Sequence, residues 1–272
     1  MAVAARSNPL GELLRSWRQR RNLSQLELAL GADVSSRHLS FLETGRARPS
    51  REMVIRLAGR LEIPMREQNA LMLAAGYAPV YPERSLDAPE MAPVRQALDR
   101  FLRAHEPYPA LVVDRHHNLI TANDALDILL DGVAPGLLEP PANGMRIALH
   151  PDGMAPRTLN LAEWSAHLLG RVRREMQASA DQDLIELYDE LASYPGVRVA
   201  PAHTDVQATD IVLPLRLLDT DGRTELTFFS TLSTFGTATD ITLSELAIEA
   251  FYPANAQTAM RLMRDIGTEA QR

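Results

Sequence analysis

Cysteine is absent from this 272-residue chain, which excludes disulfides, thiolate metal sites, iron–sulfur clusters and cysteine nucleophiles. Lysine is absent as well, since all 28 basic residues are arginine. Arginine codons are GC-rich and lysine codons AT-rich, so a GC-rich bacterial genome is the expected source. No apolar run approaches the ~20 residues needed to span a bilayer. The opening residues Met1–Asn8 hold one basic residue and no apolar stretch, which does not read as a secretory signal. A hydrophobic share of 46% with 23% charged residues is ordinary globular composition and excludes wholesale disorder. The expectation is a cytoplasmic protein with no membrane partner, long enough for more than one average domain.

The net charge of −7 points away from nucleic acid, but its distribution does not. Residues 1–75 hold 12 arginines against 7 acids, or +5, while the remainder holds 16 against 28, or −12. Such asymmetry implies a small basic module joined to an acidic body. The stretch Gly76-Tyr77-Ala78-Pro79-Val80-Tyr81-Pro82 and on to Pro89 is proline-rich, and proline both lacks a backbone donor and biases its predecessor away from helix. The expected organisation is a first domain over 8–76, a linker over 77–92 and a second domain over 93–268.

Residues 10–75 break into five helical patterns. Leu10, Leu13, Leu14 and Trp17 fall at helical spacing. Ser24-Gln25-Leu26-Glu27 is a capping-box pattern that opens a second helix. The turn Gly31-Ala32-Asp33-Val34 leads to a cap at Ser35 or Ser36 and a third helix ending near Thr44-Gly45, where glycine suits a left-handed terminating residue. Pro49-Ser50 and Pro64 open the fourth and fifth. Two short helices joined by a tight turn fit a DNA reader whose second helix enters the major groove. In that helix Leu39 and Leu42 share one face, with Arg37, Ser40, Phe41 and Thr44 roughly opposite and Ser35 and Ser36 at its N-terminal end. Arginine can bind guanine bidentately, and an aromatic ring or threonine methyl can meet the thymine methyl. Gln25, Arg46 and Arg48 flank this face and suit phosphate contacts. On geometry alone, a helical bundle with a solvated arginine face remains an equal alternative.

The run Leu23-Ser24-Gln25 to Ala29, Val34-Ser35 to Leu42-Glu43-Thr44-Gly45-Arg46, and Arg48-Pro49-Ser50 resembles the XRE family of phage-repressor-like helix-turn-helix domains. One departure is Asp33, where many members place glycine; aspartate tolerates the left-handed region better than most residues. The resemblance implies binding to a double-stranded DNA operator, with a homodimer reading a pseudo-palindrome.

The second domain alternates. A helix with Val94, Leu98, Phe101 and Leu102 precedes strands at Ala110–Asp114 and Leu119–Thr121, after which Asn123 can cap a helix. Further helices are expected from Leu159 toward Met176 and over Asp183–Leu191. Leu213–Leu218 and Glu225–Leu232 form a hairpin about Asp219–Arg223. Ser244–Phe251 is ambiguous and is read as a third late strand ending at Tyr252-Pro253, with a closing helix over Ala256–Ile266. These elements describe one antiparallel sheet with helices on a face, the α+β layout of a PAS-like domain. The segments Pro109–Asp114, Leu149-His150-Pro151, Asn160–Trp164, Phe228–Thr231, Phe235-Gly236-Thr237 and Ser244-Glu245-Leu246 resemble the ligand-binding half of MmyB-like transcription regulators. That resemblance implies a pocket between sheet and helices for a fatty-acid, acyl-type or other apolar small molecule. Trp164, Leu168, Phe228 and Phe235 are candidates to line it, and His150, His167 or Arg171 to meet a carboxylate; for any one aromatic core packing is the commoner explanation, and a lone histidine is usually a satisfied structural one.

No His-Glu-x-x-His, glycine-rich phosphate loop or nucleophile elbow occurs. The expectation is therefore a protein that is not an enzyme and carries no cofactor and no metal. His116 and His117 sit in a turn where neighbouring side chains diverge, which disfavours joint ligation. Asp219-Thr220-Asp221-Gly222 imitates the start of a calcium loop but lacks the closing glutamate. Two alternatives stay open: a haem-binding PAS-like sensor, and a DNA-binding protein controlled by a partner without a small ligand.

Overall fold

The computed structural model describes residues 8–179, 181–199 and 212–269. His203, one of the histidines of the second domain, lies outside the described residues. The chain divides into two units, each with its own core; the main boundary falls between Glu83 and Arg84, and the short stretches at 177–179 and 239–241 group with the first.

The first unit is helical: α1 (Pro9–Arg20), α2 (Gln25–Gly31), α3 (Ser36–Glu43), α4 (Arg51–Arg60) and α5 (Met65–Ala74). Local chemistry fixes the boundaries. Asn8, Ser24, Ser35 and Ser50 each accept a backbone N–H at a helix start, and the Ser24–Glu27 box closes in both directions. Asp33 adopts φ 52° in the turn between α2 and α3, and Gly45 adopts φ 73° after α3. Leu14, Trp17, Leu28, Leu39, Leu42, Leu57 and Leu71 meet in the core.

The stretch 77–92, expected as a linker, is shared between the units. Val80 and Tyr81 donate backbone N–H bonds to Asn69 Oδ1, Asn69 Nδ2 donates to the Tyr81 carbonyl, and the Tyr77 hydroxyl donates to the Pro49 carbonyl. Beyond the division, Pro89–Met91 form a 3-10 turn with Met91 buried.

The second unit runs α6 (Ala92–His105), β1 (Ala110–Val113), β2 (Leu119–Ala122), α7 (Asp127–Leu130), α8 (Pro135–Leu138), α9 (Gly144–Leu149), α10 (Leu161–Ser179), α11 (Gln182–Ala192), β3 (Leu215–Leu218), β4 (Glu225–Thr234), α12 (Ile241–Ser244), β5 (Ala247–Pro253) and α13 (Ala256–Glu269). The five strands form one antiparallel sheet in the order β2-β1-β5-β4-β3. The segment read as ambiguous from sequence thus supplies a central strand. Period-two alternation sends Ala110, Val112, Ile248 and Ala250 to a cluster with Leu98 and Leu102 of α6. The opposite face, with Leu215, Leu217, Leu226, Phe228 and Phe251, packs against Trp164, Leu168 and Leu169 of α10 and against α9 and α11. Both faces of β1 and β5 are covered, which is why these strands read as near-continuous apolar runs. Asn123 does not cap with its side chain. It is buried, accepting from the Ala110 N–H and donating to the Leu102 and Tyr108 carbonyls, so it ties the end of α6 to β1.

Candidate functional site

In the helical unit α3 buries Leu39 and Leu42 and leaves Ser35, Ser36, Arg37, Thr44, Arg46 and Arg48 exposed, with Ser40 and Phe41 half-buried. The Arg37 guanidinium lies 5.4 Å from the centre of the Phe41 ring, one helical turn on. Two expected contacts already have local work. Ser35 Oγ accepts the His38 N–H at 3.1 Å as the cap, and Thr44 Oγ1 donates to the Ser40 carbonyl at 2.7 Å. Arg37, Arg46 and Arg48 carry no ion pair among the described residues.

Glu43 is the residue that sequence reading passed over. Its carboxylate is buried on the inner side of α3. Arg18 of α1 donates to it from Nε at 2.7 Å and from a terminal nitrogen at 2.9 Å, and Gln25 of α2 donates from Nε2 at 2.8 Å. Arg15 adds a contact at 3.5 Å. Burial alone would raise the Glu43 carboxyl, but these donors outweigh it and hold the carboxyl below its ordinary value. Gln25, expected on a phosphate, therefore spends a donor joining α2 to α3. The sequence signal was a glutamate at the position where α3 turns its apolar side inward.

The second unit holds a cavity of about 80 Å³ between the sheet and helices α9 and α10. Of the candidates from sequence, the structure places Trp164, Leu168 and Arg171 along it, at i, i+4 and i+7 on one face of α10. The sheet contributes Leu111, Leu215, Glu249 and Phe251, and α9 contributes Met145 and Ile147. The remaining candidates stand elsewhere. Phe228 is fully buried behind the lining and meets Phe251 edge-on at 6.4 Å. Phe235 packs on the opposite sheet face, in the cluster beneath α6. His150 packs against Tyr194 at 5.0 Å, and His167 is exposed, stacking on Trp164 at 5.6 Å.

Two polar lining residues, His117 and Glu249, were not read as such from sequence. His117 sits at φ 64° in the β1–β2 turn, which Asp114 organises by accepting the His116 and Asn118 N–H groups at 2.8 Å each. Asn143, the cap of α9, donates to the His116 carbonyl, and the Gly144 N–H donates to that of His117. The turn is thereby fixed against the helix, and His117 is 95% buried, since its exposure is 5%. Its Nε2 meets Glu175 at 2.7 Å. Glu249, opposite Leu111 in the sheet register, is buried and accepts from both terminal nitrogens of Arg171 at 3.1 and 3.2 Å. His117 Nδ1 and Arg171 Nε are buried without a hydrogen-bond partner among the described residues.

The neighbouring His116 diverges from His117, reaching Asp181 at 2.9 Å. His116, Asp181 and Asp183 offer ligand atoms within 4.8 Å of one another, a spacing suited to a cation, but the Arg115 guanidinium already sits on Asp181.

Residues 94–264 match the family described as the MmyB-like transcription regulator ligand binding domain, and residues 14–68 match the family described as helix-turn-helix. An uncharacterized HTH-type transcriptional regulator, RghRB of Bacillus subtilis (strain 168), is 34% identical over 84 residues, which is 30% of this chain. The matched region spans 58% of that relative. Among solved structures, the clp gene regulator ClgR from C. glutamicum is 30% identical over 25% of this chain and 86% of its own, with a TM-score of 0.23. An RNA-binding light-oxygen-voltage receptor is 13% identical over 98% of this chain and 64% of its own, with a TM-score of 0.32.

Proposed function

The chain belongs to the MmyB-like transcription regulators, with a helix-turn-helix ahead of the ligand-binding domain, and from that premise we propose that it is a one-component, non-catalytic regulator of the cytoplasm. Its helical unit binds an operator as part of a homodimer, and its α+β unit answers to a small, largely apolar ligand. Arg37 and Phe41 of α3 read base edges, while Arg46 and Arg48 hold phosphates. A ligand acts by binding the DNA-competent and incompetent states with different affinity.

The observation that carries the sensor half is the cavity: an apolar lining broken only by His117, Arg171 and Glu249 at one wall, the composition expected of a small-molecule site. Its volume of about 80 Å³ is well below the roughly 300–1,000 Å³ of drug-sized pockets. An acyl chain therefore enters by displacing lining side chains, and the unbranched Met145 and Met154 are the ones suited to move. A haem fits less well, being far larger than the space, with the lining His117 held by Glu175.

Native mass spectrometry of the purified protein, with released molecules identified after denaturation, tests this reading. The expected result is one apolar molecule per subunit whose addition or removal shifts operator affinity. DNA affinity that never responds to any released or added apolar molecule would favour control by a partner protein.

A further inference from the structure

The outward stripe of α3 has one strong polar reader and otherwise apolar surface. Arg37, Phe41 and the capping residue Thr44 stand at i, i+4 and i+7. They share one face and span about 10 Å, roughly three base steps of about 3.4 Å. Leu39 and Leu42 lie on the other side, fully buried. Telling adenine or cytosine by its amino group uses a side-chain amide or a carboxylate. α3 contains no asparagine or glutamine, and its one carboxylate, Glu43, is buried with Arg18 and Gln25 on the inner side. His38 stands about 100° round the helix from Arg37, and the Ser36 and Ser40 hydroxyls at the borders pair with donors and acceptors alike. Thr44 is exposed, and its hydroxyl donates back to the Ser40 carbonyl at 2.7 Å, which leaves the γ-methyl as its free group. Phe41 is half-buried, and the Arg37 guanidinium stands 5.4 Å from its ring centre, within cation–π range. The stripe thus presents one bidentate donor followed by two apolar contacts.

We propose that α3 reads a pyrimidine C5 methyl group, not the base that carries it, beside a guanine held by Arg37, so that 5-methylcytosine serves in place of thymine and methylation of a cytosine there raises affinity. This rests on the DNA-binding reading above and names what that helix recognises. Thymine and 5-methylcytosine present the same methyl in the major groove. They differ at C4, where thymine offers an oxygen acceptor and cytosine an amino donor. The rim of a phenyl ring and a threonine methyl pack on the shared feature and make no hydrogen bond to the differing one. Arginine, in turn, selects guanine through O6 and N7. The 5.4 Å between guanidinium and ring centre is less than two base steps of about 3.4 Å. The methyl therefore lies within about two base pairs of the guanine.

The test uses the full-length protein and a duplex enriched from a random-sequence library by repeated rounds of binding. The guanine read by Arg37 is the one whose replacement weakens the unmodified protein but not Arg37→Ala. Each thymine near it is exchanged for deoxyuridine, which lacks only the methyl, for cytosine and for 5-methylcytosine, with affinity read by fluorescence anisotropy. At one such position deoxyuridine and cytosine should each bind about fourfold weaker or more, the effect of withdrawing one buried methyl, while 5-methylcytosine stays within about twofold of thymine. Phe41→Ala or Thr44→Ser should level thymine and deoxyuridine there; a difference that survives both would assign the methyl to another side chain and overturn the proposal. Deoxyuridine binding as tightly as thymine at every such position would overturn it while leaving DNA binding intact. So would 5-methylcytosine binding as weakly as cytosine, since the base itself would then be read, or an enriched duplex with no such guanine or no thymine near it. Enrichment of no duplex would overturn the DNA-binding reading, and this proposal with it. Should Phe41→Ala fail to fold, the comparison of bases on the unmodified protein decides alone.

Discussion

Glu43 in the helical unit and Glu249 in the α+β unit are both buried carboxylates facing arginine, yet their surroundings differ in completeness. Glu43 takes donors from Arg18, Gln25 and Arg15, which tie three helices together. No unpartnered buried side-chain atom is found around it among the described residues. Glu249 is held through one oxygen by Arg171, and the cavity wall around that pair keeps two buried polar atoms without partners. A saturated buried charge cluster is a piece of architecture, and it fixes the orientation of α3. An unsaturated one beside a void is a place where something else can bind. The face of α3 proposed to read DNA follows a third pattern, in which Arg37, Arg46 and Arg48 are exposed and carry no ion pair among the described residues.

The strongest way to break this contrast is Glu43→Ala. It strands the Arg18 guanidinium, whose side chain is 12% exposed, and removing one partner of a buried pair costs about 3–5 kcal/mol. Urea unfolding should show the helical unit losing most of its stability, with operator binding lost alongside. A cost within about 0.5 kcal/mol, the level of an ordinary surface substitution, would remove Glu43 from its structural role. The same cluster sets an acid limit. The folded-state value of Glu43 lies below its ordinary 4.5, so its contribution is complete above that value and is lost as pH falls through the lower, folded one. Urea midpoints of the helical unit should hold from pH 7 to about 5.5 and then decline. Glu43→Gln should be weaker throughout but flatter below about pH 4.5. An equal acid slope in both proteins would assign the effect to other carboxylates.

Next in size is the division of labour along the DNA-reading face. Arg37→Ala should cost about 1–3 kcal/mol on the operator and relax base preference at one position, with random DNA little affected. Arg48→Ala should weaken operator and random DNA alike and reduce the slope of log affinity against log salt by about one. Equal losses on both DNAs in both variants would sink the assignment of Arg37 to base reading.

What sequence could show, and what it could not, follows the range of the interactions. The Ser24–Glu27 box, the left-handed Asp33 and the terminating Gly45 act within a few residues, so the five helices and their turns were readable in place. The lining of α10 was readable for the same reason, because Trp164, Leu168 and Arg171 share a face through helix period alone. Phe228 and Phe235 were paired by residue type, but they stand an odd number of residues apart along and just beyond β4. Period two sends them to opposite faces of the sheet. Glu249 and His117 were invisible because their partners lie 78 and 58 residues away. The segment holding Glu249 was ambiguous even as a strand. Only the register Leu111↔Glu249 puts a charged side chain on the cavity side. Glu43 sits between these cases: the helix period turns it inward, but nothing local names Arg18 as its partner.

The smallest predicted effect separates two roles that one residue can hold. Ser35 caps α3 through the His38 N–H and is also exposed at the end of the helix proposed to enter the groove. Ser35→Ala should cost about 1 kcal/mol of stability through the lost cap. Ser35→Asp should restore it, because aspartate caps as well as serine does and its charge suits the positive end of the helix dipole. On DNA the same carboxylate would face phosphates, so the aspartate variant should bind worse than the alanine one despite being more stable. Thermal unfolding and operator titration on the two variants give opposite rankings if Ser35 both caps the helix and approaches the backbone. Matching rankings would make it a cap alone and move the DNA boundary toward Ser36 and Arg37.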